Sequence, residues 1–120
     1  MEPIFNKKGQ TVGWLADDII YNNKGNAIAI IYDNELVHNY KGKILGRFQS
    51  GYFWDKDGHA IAFIQNASGG PILPIPEIPP IPPIPGIPPV PLIPSIPPVP
   101  PVPSISWSIM SWENFINQNK

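Results

Sequence analysis

Two different patterns of apolar and polar residues divide the chain. In the first 68 residues, short apolar runs alternate with polar segments that recur every 16 or 17 residues. From Ile72 to Ile105, an Ile or Val stands at every third position and is almost always followed by Pro. The first pattern is typical of β-strands joined by turns. The second predicts an extended polyproline II segment, because that conformation has three residues per turn and places every third side chain on one edge.

Four of the polar segments share one turn signature. Each contains Asn or Asp followed three positions later by Gly, which is typical of a type I turn closed by a residue in the left-handed region. The four turn glycines are Gly9, Gly25, Gly42 and Gly58. Because apolar residues flank every turn, each repeat predicts a β-hairpin with strands of about four to six residues.

A small residue follows each turn at the same position of the repeat. These residues are Gly13, Ala29, Gly46 and Ala62. They predict a place where the chain comes close to its neighbours, near a common axis. Isolated hairpins are only marginally stable, so the four must share one core. The predicted fold is therefore all-β, with four short β-hairpin repeats in a pseudo-fourfold arrangement, followed by the polyproline II segment and a short C-terminal helix.

The C-terminal tail predicts this helix. Ser111 is a suitable N-cap, and the residues after it place Trp112, Phe115 and Ile116 on one face. We expect this face, together with Trp107, to anchor the far end of the proline-rich segment. The predicted units are residues 1–68 for the hairpin domain, 69–105 for the Ile/Val-Pro segment and 106–120 for the tail.

The Ile/Val edge of the proline-rich segment is too apolar to be left in water. Twelve side chains share it, whereas soluble monomers rarely expose a continuous apolar patch above a few hundred Å². The 34 residues from Ile72 to Ile105 would extend to roughly 105 Å if straight. A 68-residue domain is only about 30 Å across. The segment must therefore turn back, with Gly86 as the most permissive point, or pack on other chains.

We expect the segment to pack on other copies of the chain, which predicts a homo-oligomer. The predicted self-association residues are Ile75, Ile78, Ile81, Ile84, Ile87, Val90, Ile93, Ile96, Val99 and Val102. A ligand for SH3 or WW domains is the weaker interpretation, because such ligands usually carry a flanking Arg or Lys. Residues 71–104 contain no basic residue and only one acid, Glu77.

Composition and charge narrow the function classes. The net charge is −1, which argues against nucleic-acid binding and against an anionic-membrane anchor. The chain has no Cys, so a disulfide framework and a thiolate metal site are excluded. Six of the eight basic residues lie at or beside the hairpin turns, whereas acids including Asp17, Asp18, Asp33 and Glu35 lie in the segments that link the hairpins. The predicted hairpin domain therefore has one basic and one acidic end.

No arrangement of residues predicts an enzyme, a cofactor site or a metal site. His38 takes the position that Phe5, Tyr21 and Trp54 fill in the other repeats, which predicts a packed ring. His59 follows a turn glycine, where we expect a solvated side chain. We interpret Asp17 and Asp18 as neighbours in a strand, which would point them to opposite faces and argue against an acid/base pair.

The expected function is a non-enzymatic structural or interaction protein. Most aromatic residues recur at repeat positions and are expected in the core. If a subset were exposed beside Asn and Asp, the hairpin domain would be a glycan- or peptide-binding module, which is the alternative. A protein or glycan partner therefore stays open.

The expected location is cytoplasmic. The N-terminal residues MEPIFNKKGQ lack the basic region and apolar core of a signal peptide. No run of 18 apolar residues free of Pro predicts a membrane span. Export by another route stays open.

Most of the chain resembles the four-fold β-flower domains, a family of small bacterial proteins. The resemblance rests on the four turn units, the stretch from Gly51 to Phe63, the junction Gly69-Gly70-Pro71, the Ile-Pro segment and Trp107-Ser108. It implies the fold and carries no assigned activity, so it implies no catalytic residues. The single units also resemble WG-type repeats, which share the turn but lack the proline-rich segment.

Overall fold

The computed structural model describes residues 1–94, 96–97 and 99–118. The strands are β1 (Glu2–Asn6), β2 (Thr11–Ala16), β3 (Ile19–Tyr21), β4 (Ala27–Tyr32), β5 (Leu36–His38), β6 (Ile44–Gln49), β7 (Tyr52–Trp54) and β8 (Ala60–Phe63), and the helix is α1 (Trp112–Ile116). Each strand pairs antiparallel with the next, and β8 pairs with β1 to close a barrel. The predicted all-β class and the four hairpins are confirmed.

The four hairpin turns have the predicted geometry. In the first, the amide of Gly9 donates to the carbonyl of Asn6 at 2.9 Å, and Gly9 has a φ of +79°. The Asn6 side-chain oxygen accepts from the amides of Lys8 and Gln10 at 2.9 and 3.0 Å. The same pattern recurs in the other three hairpins, and a β-bulge lies beside each turn. These turns together form the turn end of the barrel.

The connections between hairpins are tighter than expected. Asp17 and Asp18 have φ values of +51° and +64°, and Asp33 and Asn34 have +55° and +61°. Two successive residues with positive φ form a type I′ turn, which Asn and Asp favour because they tolerate the left-handed region. The interpretation of Asp17 and Asp18 as strand neighbours is therefore wrong, since they form a corner. These corners, with those at residues 50–51 and 66, make the far end of the barrel.

The barrel interior is filled by pairs of one large and one small residue. The directly paired residues are Ile4 with Gly13, Ile20 with Ala29, Val37 with Gly46 and Phe53 with Ala62. All of the large members are fully buried. In a barrel this narrow, a small residue opposite each large one leaves room for the side chains that meet near the axis. The predicted role of the small positions is confirmed in this respect.

The predicted C-terminal helix is present, and its apolar face closes the barrel core. The Ser111 hydroxyl caps it by accepting from the amide of Asn114 at 3.1 Å. Trp112 and Phe115 are buried in the same cluster as the barrel interior. A Cβ added to Gly46 would lie 2.7 Å from the Phe115 ring, and one added to Gly13 would lie 3.6 Å from the Trp112 ring.

Gly and Ala alternate at the small positions. Gly13 and Gly46 belong to the first and third hairpins, which lie opposite each other in the closed barrel. The second and fourth hairpins carry Ala29 and Ala62, both fully buried. Gly46 makes room for the Phe115 ring and for the Trp54 carbonyl, whereas the tightest contact of a Cβ at Gly13 would be with the Tyr21 carbonyl oxygen at 3.0 Å.

Candidate functional site

The proline-rich segment, residues 71–105, runs along the outer wall of the barrel and crosses all four hairpin turns. The four residues whose carbonyls meet the turn glycines are Ile75, Ile84, Ile93 and Val102. They are spaced nine residues apart, which equals three turns of the predicted polyproline II conformation. No described residue of the segment lies in a helix or a strand. Nine residues of the segment therefore span the distance between two neighbouring turns, which are 16 or 17 residues apart along the barrel sequence.

Backbone hydrogen bonds fasten the segment to the turns. The amide of Glu77 donates to the carbonyl of Gly9 at 2.8 Å, that of Gly86 to Gly25 at 2.7 Å, and that of Ser104 to Gly58 at 2.8 Å. At the third turn, the amide of Leu92 donates to the carbonyl of Tyr40 at 3.1 Å. The position equivalent to the three donors is Ser95, which lies outside the described residues.

The turn glycines have a second role besides the turn itself. A Cβ added to Gly9 would lie 2.5 Å from the Ile75 carbonyl oxygen, and one added to Gly58 would lie 2.7 Å from that of Val102. Both distances are shorter than any normal contact between a Cβ and an oxygen. Glycine is therefore needed for the positive φ and also for the close approach of the segment.

The length of the segment agrees with a path around the barrel. Nine residues span about 28 Å, so four such steps would make a circuit of about 112 Å. A circle of that circumference is about 36 Å across, and the molecule measures 37 × 35 × 24 Å. The segment therefore lies on its own domain without turning back at Gly86. Packing on other chains stays a prediction.

The Ile/Val edge points away from the barrel. Its twelve side chains, at every third position from Ile72 to Ile105, are between 83% and 98% exposed. The residues that approach the wall include prolines, such as the half-buried Pro83, Pro88 and Pro101. The expectation that the edge is buried is wrong for the single chain, because prolines and backbone make the contact with the barrel. Self-association through the ten predicted residues stays a prediction.

Aromatic residues fill the space between the segment and the outer wall. Phe5, Tyr52, Trp54 and Phe63 form a buried cluster with Ala60, against which Trp107 packs. The Tyr52 hydroxyl donates to the carbonyl of Pro71 at 2.5 Å. Burial raises the pKa of the Tyr52 hydroxyl. The expectation that most aromatic residues belong to the core is thus confirmed, and Trp107 anchors the end of the segment as predicted.

The exposed aromatic surface is small. Among the described residues, Tyr32 is the one exposed aromatic side chain, with 54% exposure. It lines a groove of about 310 Å³ with Arg47, Ile93 and Ile96. A second groove, of about 440 Å³, is lined by Phe5 and other residues of the equivalent corner on the opposite side of the barrel. In both grooves the segment forms one wall and the barrel the other.

Glu77 adds a side-chain contact at the first turn. Its carboxylate accepts a hydrogen bond from the amide of Thr11 at 2.9 Å, in addition to the bond between its own amide and Gly9. Acceptance of the hydrogen bond from the Thr11 amide lowers the pKa of the Glu77 carboxyl below its usual value of 4.5. The carboxylate therefore favours the attached position of the segment when it is ionised.

The two histidines, His38 and His59, lie beside backbone and turn groups of the barrel. His38 is 1% exposed and its Nδ1 lies 2.8 Å from the carbonyl of Asn39, as expected for a packed ring. His59 is half-buried, and its Nδ1 lies 3.9 Å from the carboxylate of Asp55, which accepts from two turn amides. Within the described residues, no group of three or more His, Cys, Asp or Glu side chains is arranged to hold a metal ion.

The two ends of the barrel carry opposite charges. Lys7, Lys8, Lys24, Lys41 and Lys56 are exposed at the turn end. Asp17, Asp18, Asp33 and Glu35 are exposed at the far end, where Arg47 forms an ion pair with Glu35 at 3.1 Å. The proline-rich segment contacts the turns that carry these lysines.

The attachment of the segment to the turns was not predicted, although the sequence contains a signal for it. The residues at positions 77, 86, 95 and 104 are Glu, Gly, Ser and Ser, and each follows the pattern Ile/Val-Pro at a position where Pro would remove the backbone donor. Among the described positions, the amides of Glu77, Gly86 and Ser104 reach the turns, so the nine-residue spacing marks the attachment points.

Comparison with known proteins supports the fold and gives no activity. The family model of the 4-fold beta flower protein matches residues 2–116. No curated protein and no solved structure matches the chain. In the described part of the chain, no helix is long and apolar enough to cross a membrane. With nearly its whole length matched, and with four hairpins closed into one barrel, the chain belongs to the 4-fold beta flower family.

Proposed function

We propose that this protein is a non-enzymatic structural or interaction protein that self-associates through its Ile/Val edge. The observation that supports the proposal is the almost complete exposure of twelve aligned Ile and Val side chains. Soluble monomers rarely leave such a continuous apolar surface in water. The surroundings of His38 and His59 give no reason to assign them a catalytic role.

A second copy of the chain is the partner that the edge fits best. Two identical edges have the same spacing of about 9.3 Å between side chains, so the side chains of one can interdigitate with those of the other. The edge itself carries no charged residue, and the one acid between residues 71 and 104, Glu77, accepts a hydrogen bond from the barrel, so two edges do not repel each other. A partner with a different repeat would match fewer of the side chains.

The expected strength of one contact is modest. Full burial of an Ile or Val side chain contributes about 1.5–3 kcal/mol, so half-burial of about six side chains gives roughly 5–9 kcal/mol. The loss of translational and rotational freedom costs about 4–15 kcal/mol. We therefore expect one edge contact to be reversible and dependent on protein concentration.

The test compares two exposed isoleucines in the full chain. Ile87 lies on the edge and is 98% exposed, whereas Ile109 lies outside the edge and is fully exposed. Static light scattering and sedimentation would measure the mass of the wild type, of Ile87→Ser, of Ile109→Ser and of the combined variant Ile78→Ser, Ile87→Ser and Ile96→Ser.

The proposal predicts a wild-type mass above the 13.3 kDa of one chain, a lower mass for Ile87→Ser, a monomer for the combined variant, and no change for Ile109→Ser. Circular dichroism would show that all variants keep the fold, since each of these side chains is at least 94% exposed. A wild type that is monomeric at every concentration would contradict the proposal. It would favour the alternative of a glycan- or peptide-binding module, with Tyr32 as the candidate contact residue.

A further inference from the structure

The turns divide the Ile/Val edge into sides. Three complete sides run from Ile75 to Ile84, from Ile84 to Ile93 and from Ile93 to Val102, each between the carbonyls that meet two neighbouring turn glycines. Every side has two further Ile or Val residues between its ends. The three sides are therefore equivalent in length, in spacing and in chemistry, and the pseudo-fourfold barrel points them in different directions.

This arrangement is incompatible with burial of the edge in a closed dimer. A contact between two copies through one side each would leave the other two sides of both molecules in water. The same apolar surface that drives the first contact would then drive the next. A closed symmetric dimer uses one self-complementary patch on each subunit, so the remaining sides stay available for contacts that extend the assembly.

The path of the segment favours growth in one plane. The sides connect its contact points with the four turns, on a circuit about 36 Å across. The diameter of this circuit matches the two longer dimensions of the molecule. The dimensions of 37 × 35 × 24 Å describe a molecule that is thinner in one direction than in the other two.

We propose that the protein assembles edge to edge into an open-ended single layer, with further copies of the same chain as its partners on all three sides. This inference rests on the proposed self-association. In such a layer each molecule makes several contacts that are individually weak, so the layer forms cooperatively above a threshold concentration.

The first experiment measures mass against concentration for the full-length wild type by sedimentation velocity and light scattering. The proposal predicts a weight-average mass that continues to rise past twice the 13.3 kDa of one chain. Atomic force microscopy of the assembled protein on mica should show a uniform layer about as thick as the shortest dimension of the molecule, 24 Å. Aggregates of irregular height would contradict it.

Variants that block sides one at a time give the decisive result. The paired changes are Ile78→Ser with Ile81→Ser, Ile87→Ser with Val90→Ser, and Ile96→Ser with Val99→Ser, one pair for each side. Any single pair should reduce the mass, any two pairs should stop growth at a dimer, and all three should give a monomer. Because the sides are equivalent, the three pairs serve as controls for one another.

Two outcomes separate this inference from the proposed function. A wild type whose mass levels off at a dimer, and which one particular pair converts to a monomer, would overturn the open layer but retain self-association. A wild type that is monomeric throughout would overturn both.

Discussion

The double role of the turn glycines predicts a measurable difference between two Gly→Ala variants. Gly25 and Gly69 have nearly the same backbone conformation, with φ values of +87° and +82°. A Cβ on Gly25 would clash with the carbonyl oxygen of Ile84, whereas one on Gly69 would meet no atom within 4 Å. Gly69→Ala therefore reports the cost of the left-handed conformation alone, and Gly25→Ala adds the cost of the clash with the segment.

The magnitudes follow from these two terms. An L-residue in the left-handed region costs about 1–2 kcal/mol, which is our estimate for Gly69→Ala. Forcing extra atoms into a packed contact adds about 1–3 kcal/mol. If the segment instead withdraws from the second turn, it loses the hydrogen bond from the Gly86 amide to the Gly25 carbonyl, worth about 0.5–1.5 kcal/mol, and the packing of Pro83. We expect Gly25→Ala to be the less stable variant by about 1–3 kcal/mol.

Equilibrium denaturation followed by tryptophan fluorescence would measure this difference. A shift of about 3–5 °C in the melting temperature for each kcal/mol gives an independent check in a chain of this size. Both variants should be measured at low protein concentration, so that association does not contribute to stability. Equal destabilisation of Gly25→Ala and Gly69→Ala would refute the reasoning, because it would mean that the segment does not approach the turn closely.

Two further predictions concern the core and the first turn. Gly46→Ala should destabilise the protein by about 2–3 kcal/mol and more than Gly13→Ala, because its Cβ would clash with the Trp54 carbonyl oxygen and lie 2.7 Å from the Phe115 ring, whereas the Cβ at Gly13 would lie 3.0 Å from the Tyr21 carbonyl oxygen and 3.6 Å from the Trp112 ring; thermal denaturation of both variants checks this, and an equal effect would contradict the tighter packing at Gly46. Since the folded-state pKa of Glu77 is lowered, its carboxylate contributes stability that is complete above pH about 4.5 and is lost as the pH falls through the lowered pKa. Melting temperatures of wild type and Glu77→Gln should therefore differ at pH 7 and converge in acid, and a difference that does not change with pH would rule out the carboxylate as its cause.

The hairpin half of the fold could be predicted because its determinants are local. Asn or Asp followed by Gly three positions later defines each turn within four residues, as at Asn6 and Gly9, and the alternation around it defines the strands. The small residues at Gly13 and Gly46 indicated close approach, and the cap at Ser111 indicated the helix. Their partners in space, the Trp112 and Phe115 rings, could not be deduced, because nothing local connects residues almost 70 or 100 positions apart.

The other half depended on contacts between distant parts of the chain. The Ile/Val edge was expected to be buried because apolar side chains usually are, but in the segment the prolines and the carbonyls of residues such as Ile84 contact the barrel. The turns at Asp17 and Asp18 were misinterpreted because two adjacent acids do not by themselves show whether the chain continues or reverses. Only the amide donors at residues such as Gly86 carried a signal for the path of the segment.

The nine-residue spacing of the attachment points limits how the length of this protein can change. Removal of three residues from the segment would keep every Ile and Val in register, yet all later amides would miss their turn carbonyls by about 9 Å. Removal of nine residues would restore the match but leave one hairpin without its fastening. Insertions and deletions that the fold tolerates should therefore come in steps of nine residues, and a change in the number of hairpins should be accompanied by one such step in the segment.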